Sequence, residues 1–483
     1  MQLLTADGDA RIALDTVSGL NAYGCPPYPD PELLDFASST ASVISTAGYH
    51  YAEQRRERLL VKLGSQSPAQ VYASEMAHVR RELLHLCELP DPTQVIFSPS
   101  GTDVHSIAAQ YVGSGATLPA RIVMIEANET GRGVTAALDG SRLAENSGRY
   151  APEAISVSVR LDDGLLRSPA DIDKEVASLV NTAVAVGQRV LLILIDQSKT
   201  GLIAPSPRCV MALHHQFQDN LDVLVDACQF RIAPPTLHAY LQQGFMIALT
   251  GSKFLTGPSF SAALLLSKKT AKQLQQRPFP VALIPSSNRA NWPLNWAMPA
   301  GIAQTANFGL LFRWEIALQE LRLFRELPQT VIIRFLHAFA MTIKLRLNDD
   351  PLFEPLPVIK LDRQPLIAAN NWDQLQTIFP FLLYHADVER TPLSAEETLQ
   401  IYRQLPVNLH ECVATPIAAL RCQLGQPVVC GENNSVSALR LCVSARLMVK
   451  AIADNDNGTT VINDALAVLD KTARLIRSLP KPD

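Results

Sequence analysis

Apolar and polar residues follow one another along this chain in two kinds of block. Short, nearly continuous apolar runs at residues 94–97, 121–125, 155–159, 190–195, 221–225, 245–249 and 262–266 read as strands buried on both faces. Between them lie segments with helical signals. Ser67-Pro68 supplies a cap and a first-turn proline for a helix running to about Leu86. Further helices are expected at 103–111, 170–184, 208–217 and 236–243. Repeated strand–helix–strand alternation predicts a mostly parallel sheet with helices on both faces, a three-layer α/β/α domain over residues 67–325.

The rhythm differs at both ends. Residues 1–66 form an irregular opening arm. Its segment Gly24-Cys25-Pro26-Pro27-Tyr28-Pro29-Asp30-Pro31 must be extended, because each proline restricts itself and its predecessor. A charged helical piece follows near residues 54–58. Such an arm could wrap a partner subunit, close over a pocket or lie as surface packing. Residues 279–300, rich in Pro, Asn and Trp, read as a long functional or interface loop. Two long helices follow at 308–323 and 329–347, joined at Pro328. Residues 326–483 then read as a smaller α+β domain, with strands at 357–361 and 438–443 and a last helix at 460–477.

Composition narrows the function classes. With 483 residues, 47% hydrophobic and 18% charged, the chain can build large cores in more than one domain. A net charge of -4 gives no electrostatic reason for a nucleic-acid or anionic-membrane partner. No apolar run reaches membrane-spanning length, and the N-terminus lacks the basic and apolar regions of a signal peptide, so a cytoplasmic protein is expected. The eight cysteines are scattered without a Cys-x-x-Cys pair, which points to buried fillers rather than a zinc ribbon or disulfide framework. His214-His215 has no companion at ligand spacing, so no metal site is expected.

The chemistry-bearing residues sit at strand ends, where open parallel sheets bind ligands. Ser98-Pro99-Ser100-Gly101-Thr102-Asp103 joins a strand to a helix, and its free N–H groups suit a phosphate; Ser100 or Thr102 as a plain helix cap accounts for it equally. Gln197-Ser198-Lys199-Thr200-Gly201 is a polar turn after the most apolar strand. Asp226 puts a carboxylate at a buried strand end, where it needs a cationic or N–H partner. Thr250-Gly251-Ser252-Lys253-Phe254-Leu255-Thr256-Gly257-Pro258 carries a lysine at the tip of a tight turn between two buried strands, without an acidic sequence neighbour. A sheltered lysine can lose its proton and form a Schiff base with a carbonyl. A phosphate cradle, a buried acid and a lysine are together what pyridoxal phosphate requires.

On these motifs the chain resembles the fold type I pyridoxal-phosphate enzymes, and among them the class V aminotransferase and cysteine desulfurase group. The resemblance covers residues 95–265 well and the surroundings of Arg440 more loosely. It implies that Lys253 is the Schiff-base lysine and that Asp226 partners the ring nitrogen. Gln229, in an Asp-x-x-Gln motif, would contact the ring's phenolic oxygen. Gly101, Thr102, Ser252 and Thr250 would hold the phosphate, Ser198 would approach the ring oxygen, and Thr305 would reach the phosphate in a neighbouring subunit. Arg440 would clasp a substrate carboxylate. The resemblance further implies a homodimer that acts on an amino acid or amine, as an aminotransferase or a Cα/Cβ lyase. Cysteine desulfurase and amino acid decarboxylase are the alternatives, and a non-catalytic binding protein of the same fold is the reading from another class. Two family features are missing: Ser252 stands where a His usually precedes the lysine, and the 126–131 stretch has no His to stack on the ring.

Two rival signals remain. Gly131-Arg132-Gly133-Val134-Thr135-Ala136 fits a dinucleotide-binding pattern but does not open directly from a strand. Cys430 could be a desulfurase persulfide carrier on a mobile loop, although its flanks read as a strand and turn.

Overall fold

A computed structural model describes the chain except residues 1, 7, 9, 132, 139–151, 162–163, 368–370, 387–388, 410–415, 431–435, 455 and 480–483. The strands of the described residues, in chain order, are β1 (Leu33–Phe36), β2 (Gln94–Ser98), β3 (Arg121–Ile125), β4 (Glu153–Val157), β5 (Val190–Asp196), β6 (Ile203–Ala204), β7 (Leu221–Ala227), β8 (Met246–Thr250), β9 (Ala262–Leu266), β10 (Phe353–Pro355), β11 (Ile378–Leu383), β12 (Arg421–Cys430) and β13 (Val436–Cys442).

The large sheet runs in the order β2-β9-β8-β7-β5-β3-β4, with β6 paired to β5. Its centre is parallel, from β4 through β3, β5 and β7 to β8, while β9 pairs antiparallel with both β8 and β2. Every residue of β5, β8 and β9 is buried, as continuous apolar runs covered on two faces require. The helices start on sequence-legible signals. Ser67 caps the helix Pro68–Leu86 in a reciprocal box with Gln70, and Ser100 caps the helix Gly101–Gly113 in a box with Asp103.

The small sheet runs β1-β12-β13-β11-β10. β1 comes from the opening arm and pairs in parallel with β12, so part of the arm is built into the distant C-terminal sheet. The charged piece near residues 54–58 belongs to a longer helix, Thr46–Leu63. The strand expected at 357–361 is not formed. The chain pairs instead at Phe353–Pro355 and leaves the sheet there, because Pro355 and Pro357 cannot donate ladder hydrogen bonds.

The two sheets are tied together by a buried ion pair. Asp196, at the end of β5, receives two hydrogen bonds from Arg363, at 2.6 and 2.7 Å, and one from Tyr240 at 2.8 Å. Removing one partner would strand a charge away from water. Arg363→Met is therefore expected to cost about 3 kcal/mol of stability, read as a lowered denaturation midpoint; a loss under about 1 kcal/mol, the range of exposed pairs, would contradict this.

Candidate active site

The lysine turn is held rigidly. Gly251 N–H donates to Ser261 O (2.8 Å), Gly257 N–H to Gly251 O (2.9 Å) and Thr256 N–H to Lys253 O (2.9 Å). Both glycines lie against the helix Phe308–Arg325: a Cβ at 251 or 257 would stand 2.5 or 2.7 Å from Ala317 Cβ. Phe254, the next residue, is buried, stacks on Trp372 with centroids 5.2 Å apart, and receives the Arg231 guanidinium over its ring. Ala445 N–H and Arg446 Nη2 donate to carbonyls of the same turn, at Phe254 and Thr256. Lys253 itself is half-buried while its neighbours are buried. Donors from distant segments thus hold the backbone of the turn, and the Lys253 side chain stays partly exposed.

Asp226 approaches from β7. Burial alone would raise its proton affinity, but His105, Lys253 and the Cys228 side chain outweigh burial and hold the carboxyl far below the usual carboxylate range. Cys228 N–H donates to Asp226 Oδ1 at 3.1 Å. On the other oxygen, Oδ2, stands His105 Nε2 at 3.3 Å, without the alignment of a good hydrogen bond. His105 and Lys253 thus both act on one carboxylate.

The phosphate-type turn meets this pair at its edge. A Cβ on Gly101 would come within 2.7 Å of Cys228 Sγ and 3.4 Å of Thr250 Cγ2, so only glycine lets the helix start pack so closely onto the strand ends. Thr250 Oγ1 donates to Cys228 O at 2.6 Å, tying β8 to the residues after β7. Thr102 and Ser252 are both buried beside this junction. Gly101, Thr102, Asp226, Thr250, Ser252 and Lys253 therefore form one cluster, with the positive end of a helix dipole at its rim. The cap reading of Ser100 holds as well, since Ser100 accepts from Asp103 N–H while Gly101 and Thr102 present the next amides.

Other expected residues lie at the margin. Gln229 is buried, with Nε2 donating to Ser39 O at 3.1 Å and Oε1 accepting from Arg231 at 3.4 Å. Ser198 Oγ donates to Glu129 Oε2 at 2.6 Å, next to Thr200, whose hydroxyl lies 2.8 Å from both Glu129 oxygens. Arg440 is fully buried; it donates to Thr40 Oγ1 at 2.9 Å, to Lys199 O at 3.4 Å and to Gln426 O. Thr305 is exposed and accepts from Asn288 Nδ2 at 3.2 Å, outside the cluster.

Three features escaped the sequence reading. His105 faces Asp226 from one turn beyond Gly101; its signal is an ionisable residue among the buried positions Val104, Ile107, Ala108 and Tyr111 of one helix. Glu129, in the stretch searched for a ring-stacking His, is a buried carboxylate that organises the Ser198–Gly201 turn and meets Arg160 Nη2 at 3.4 Å. The arm residues Ser38, Ser39 and Thr40 bond to Arg231, Gln229 and Arg440, so the arm lines the site's flank within its own chain.

The rival signals fare differently. The described part of the helix after Gly131, Val134–Leu138, follows a turn rather than a strand, which is the wrong setting for a pyrophosphate; Arg132 of that motif lies outside the described residues. Cys430 is buried in β12, and burial pushes its thiol up to about 11.

A half-buried lysine on a strand-to-strand turn, an ionised aspartate at the neighbouring strand end and a helix N-terminus at their edge lie on a seven-strand path with one antiparallel member. This mixed sheet has the fold type I architecture, shared with the solved structures that follow. Among solved structures, the chain is similar to C-DES, a cystine C–S lyase, in a form with glycine covalently linked to its pyridoxal-phosphate cofactor (15% identity, 93% of this chain and 99% of that one, TM-score 0.57). It is similar to the cysteine desulfurase CsdA from Escherichia coli (14% identity, 92% and 95%, TM-score 0.53) and to ureidoglycine–glyoxylate aminotransferase from Bacillus subtilis (12% identity, 92% and 94%, TM-score 0.53). No protein-family model and no curated protein sequence matches the chain. Among the described residues no helix is long and apolar enough to cross a membrane.

Proposed function

We propose that this chain is a pyridoxal-phosphate-dependent enzyme that acts on an amino acid or related amine, of the aminotransferase or Cα/Cβ lyase type. The observation that carries the reading is the convergence of Lys253, ionised Asp226 and the start of the helix at Gly101–Thr102 in one cluster. The residues fit the cofactor part by part. The Gly101 position leaves room for backbone approach, the helix start offers unpaired amides and a positive dipole end, and Asp226 is an acceptor for a protonated ring nitrogen. When bound, the cofactor supplies an electron sink for a carbanion at the substrate α-carbon.

Lys253 would hold the cofactor covalently through its amine, and once displaced by a substrate amine it would move a proton at the α-carbon. Asp226 would keep the ring nitrogen charged. Gln229 and Ser198 would border the ring's oxygen, with Ser252 and Thr250 on the phosphate. Arg440 would meet a substrate carboxylate with donors now given to the Thr40 hydroxyl and the Lys199 and Gln426 carbonyls. A homodimer, with Thr305 on an exposed loop facing the second subunit, completes the proposal.

The burial of Cys430 favours a lyase or transferase over a persulfide-carrying desulfurase that uses this thiol. Retention of both Lys253 and Asp226 favours an enzyme over a binding protein. A panel of amino acids and amines, scored for keto acid, ammonia, sulfide and carbon dioxide, tests the proposal. Turnover of none by a chain loaded with cofactor would overturn the enzymatic reading. Gly101→Val is expected to weaken cofactor uptake at least about tenfold, since it fills the close contact with Cys228; unchanged uptake in a titration would remove Gly101 from the cradle.

A further inference from the structure

The tautomer of His105 is fixed by its surroundings. Nδ1 lies 2.7 Å from Gly101 O, a pure acceptor, so Nδ1 carries a proton. A neutral ring would then aim the bare lone pair of Nε2 at the Asp226 carboxylate, 3.3 Å away, with the ring itself fully buried. Both ring nitrogens face acceptors, and only a doubly protonated ring turns a proton toward each, as a hydrogen bond at Gly101 O and as an ion pair at Asp226 Oδ2. The Cys228 N–H on Asp226 Oδ1 keeps the negative charge on the aspartate rather than moving the proton across.

We propose that His105 is a positioning residue, a buried imidazolium bonded to the helix start that holds Asp226 ionised and aimed at the cofactor's ring nitrogen. His105 thereby links the phosphate end of the site, through Gly101, to the ring-nitrogen end, through Asp226. The ionisable groups around it are Asp226 and Cys228 at the end of β7 and Lys253 from the β8–β9 turn. Burial opposes the charged ring, and so does Lys253; Asp226 and the Gly101 carbonyl outweigh them and raise its proton affinity above the ordinary value of 6.5. The sign follows. Stability from a raised histidine is fully present below about 6.5 and is lost as pH rises through the raised value. Asp226 contributes stability above the ordinary carboxylate range, so it adds no slope in that window.

The role of Asp226 toward a cofactor rests on the function proposed above, whereas the pair itself can be tested without cofactor. Full-length wild type, His105→Asn, Asp226→Asn and the double variant are melted without cofactor from about pH 5.5 to about pH 9. Wild type is expected to lose melting temperature as pH rises through this window. Each single variant should lose that slope, and the double variant should be no less stable than the worse single one. Strictly additive losses, or an unchanged slope in His105→Asn, would overturn the proposal. With pyridoxal phosphate added, the pH midpoint of the bound chromophore should move upward by about one unit in His105→Asn, because a positive charge has left the site; an unmoved midpoint overturns it too. Coupling in a chain that takes up no cofactor would support the pair and overturn the cofactor reading instead.

Discussion

Lys253→Ala is expected to abolish turnover, by at least about 10⁴-fold, while the chain stays folded. The side chain is half-buried, and the turn that carries it is fixed by backbone bonds from Gly251, Thr256 and Gly257 that alanine retains. The substitution removes the amine and little packing, so the melting temperature without cofactor should stay near that of wild type. Covalent cofactor uptake should vanish, and dialysis should then strip pyridoxal phosphate from the variant but not from wild type. A variant that keeps turnover within tenfold of wild type would assign the chemistry to another group.

Asp226→Asn should have the next largest effect, lowering turnover about a thousandfold, or about 4 kcal/mol at roughly 1.4 kcal/mol per decade. An amide of the same shape cannot hold a proton on a ring nitrogen, and it leaves His105 without its counter-charge. Cofactor should still be taken up, because Lys253 and the Gly101 turn are untouched. The discriminating measurement is a cofactor with a permanently charged ring nitrogen, such as an N-methylated analogue. Activity should recover with that analogue in Asp226→Asn and change little in wild type. Equal rates for both cofactors in the variant would mean that Asp226 does something else.

These residues were legible in the sequence because each breaks the pattern of its surroundings. Asp226 and Lys253 end or follow apolar runs that become fully buried strands, where a charge has no place without a partner. Gly101 and Thr102 open a helix whose cap box can be read directly. What stayed hidden depends on contacts between distant segments. β1 pairs with β12 across most of the chain's length, so the arm's place in the small sheet has no local signal. The same holds for Ser39 against Gln229 and Thr40 against Arg440. In the small domain the apolar run at 357–361 looked like a strand, yet the prolines moved the pairing to Phe353–Pro355 and Ile378–Leu383. His105 was missed for a different reason. The family resemblance directs attention to a histidine at 126–131, whereas the ring that meets Asp226 comes from the helix Gly101–Gly113.

The proposed function requires Lys253 to be the residue that takes the cofactor covalently. The most direct measurement is borohydride reduction of the wild-type chain with pyridoxal phosphate, followed by digestion and mass mapping of the reduced adduct. One stoichiometric adduct is expected, on the peptide that carries Lys253. Adducts spread over surface lysines, or one adduct on a different lysine, would contradict it.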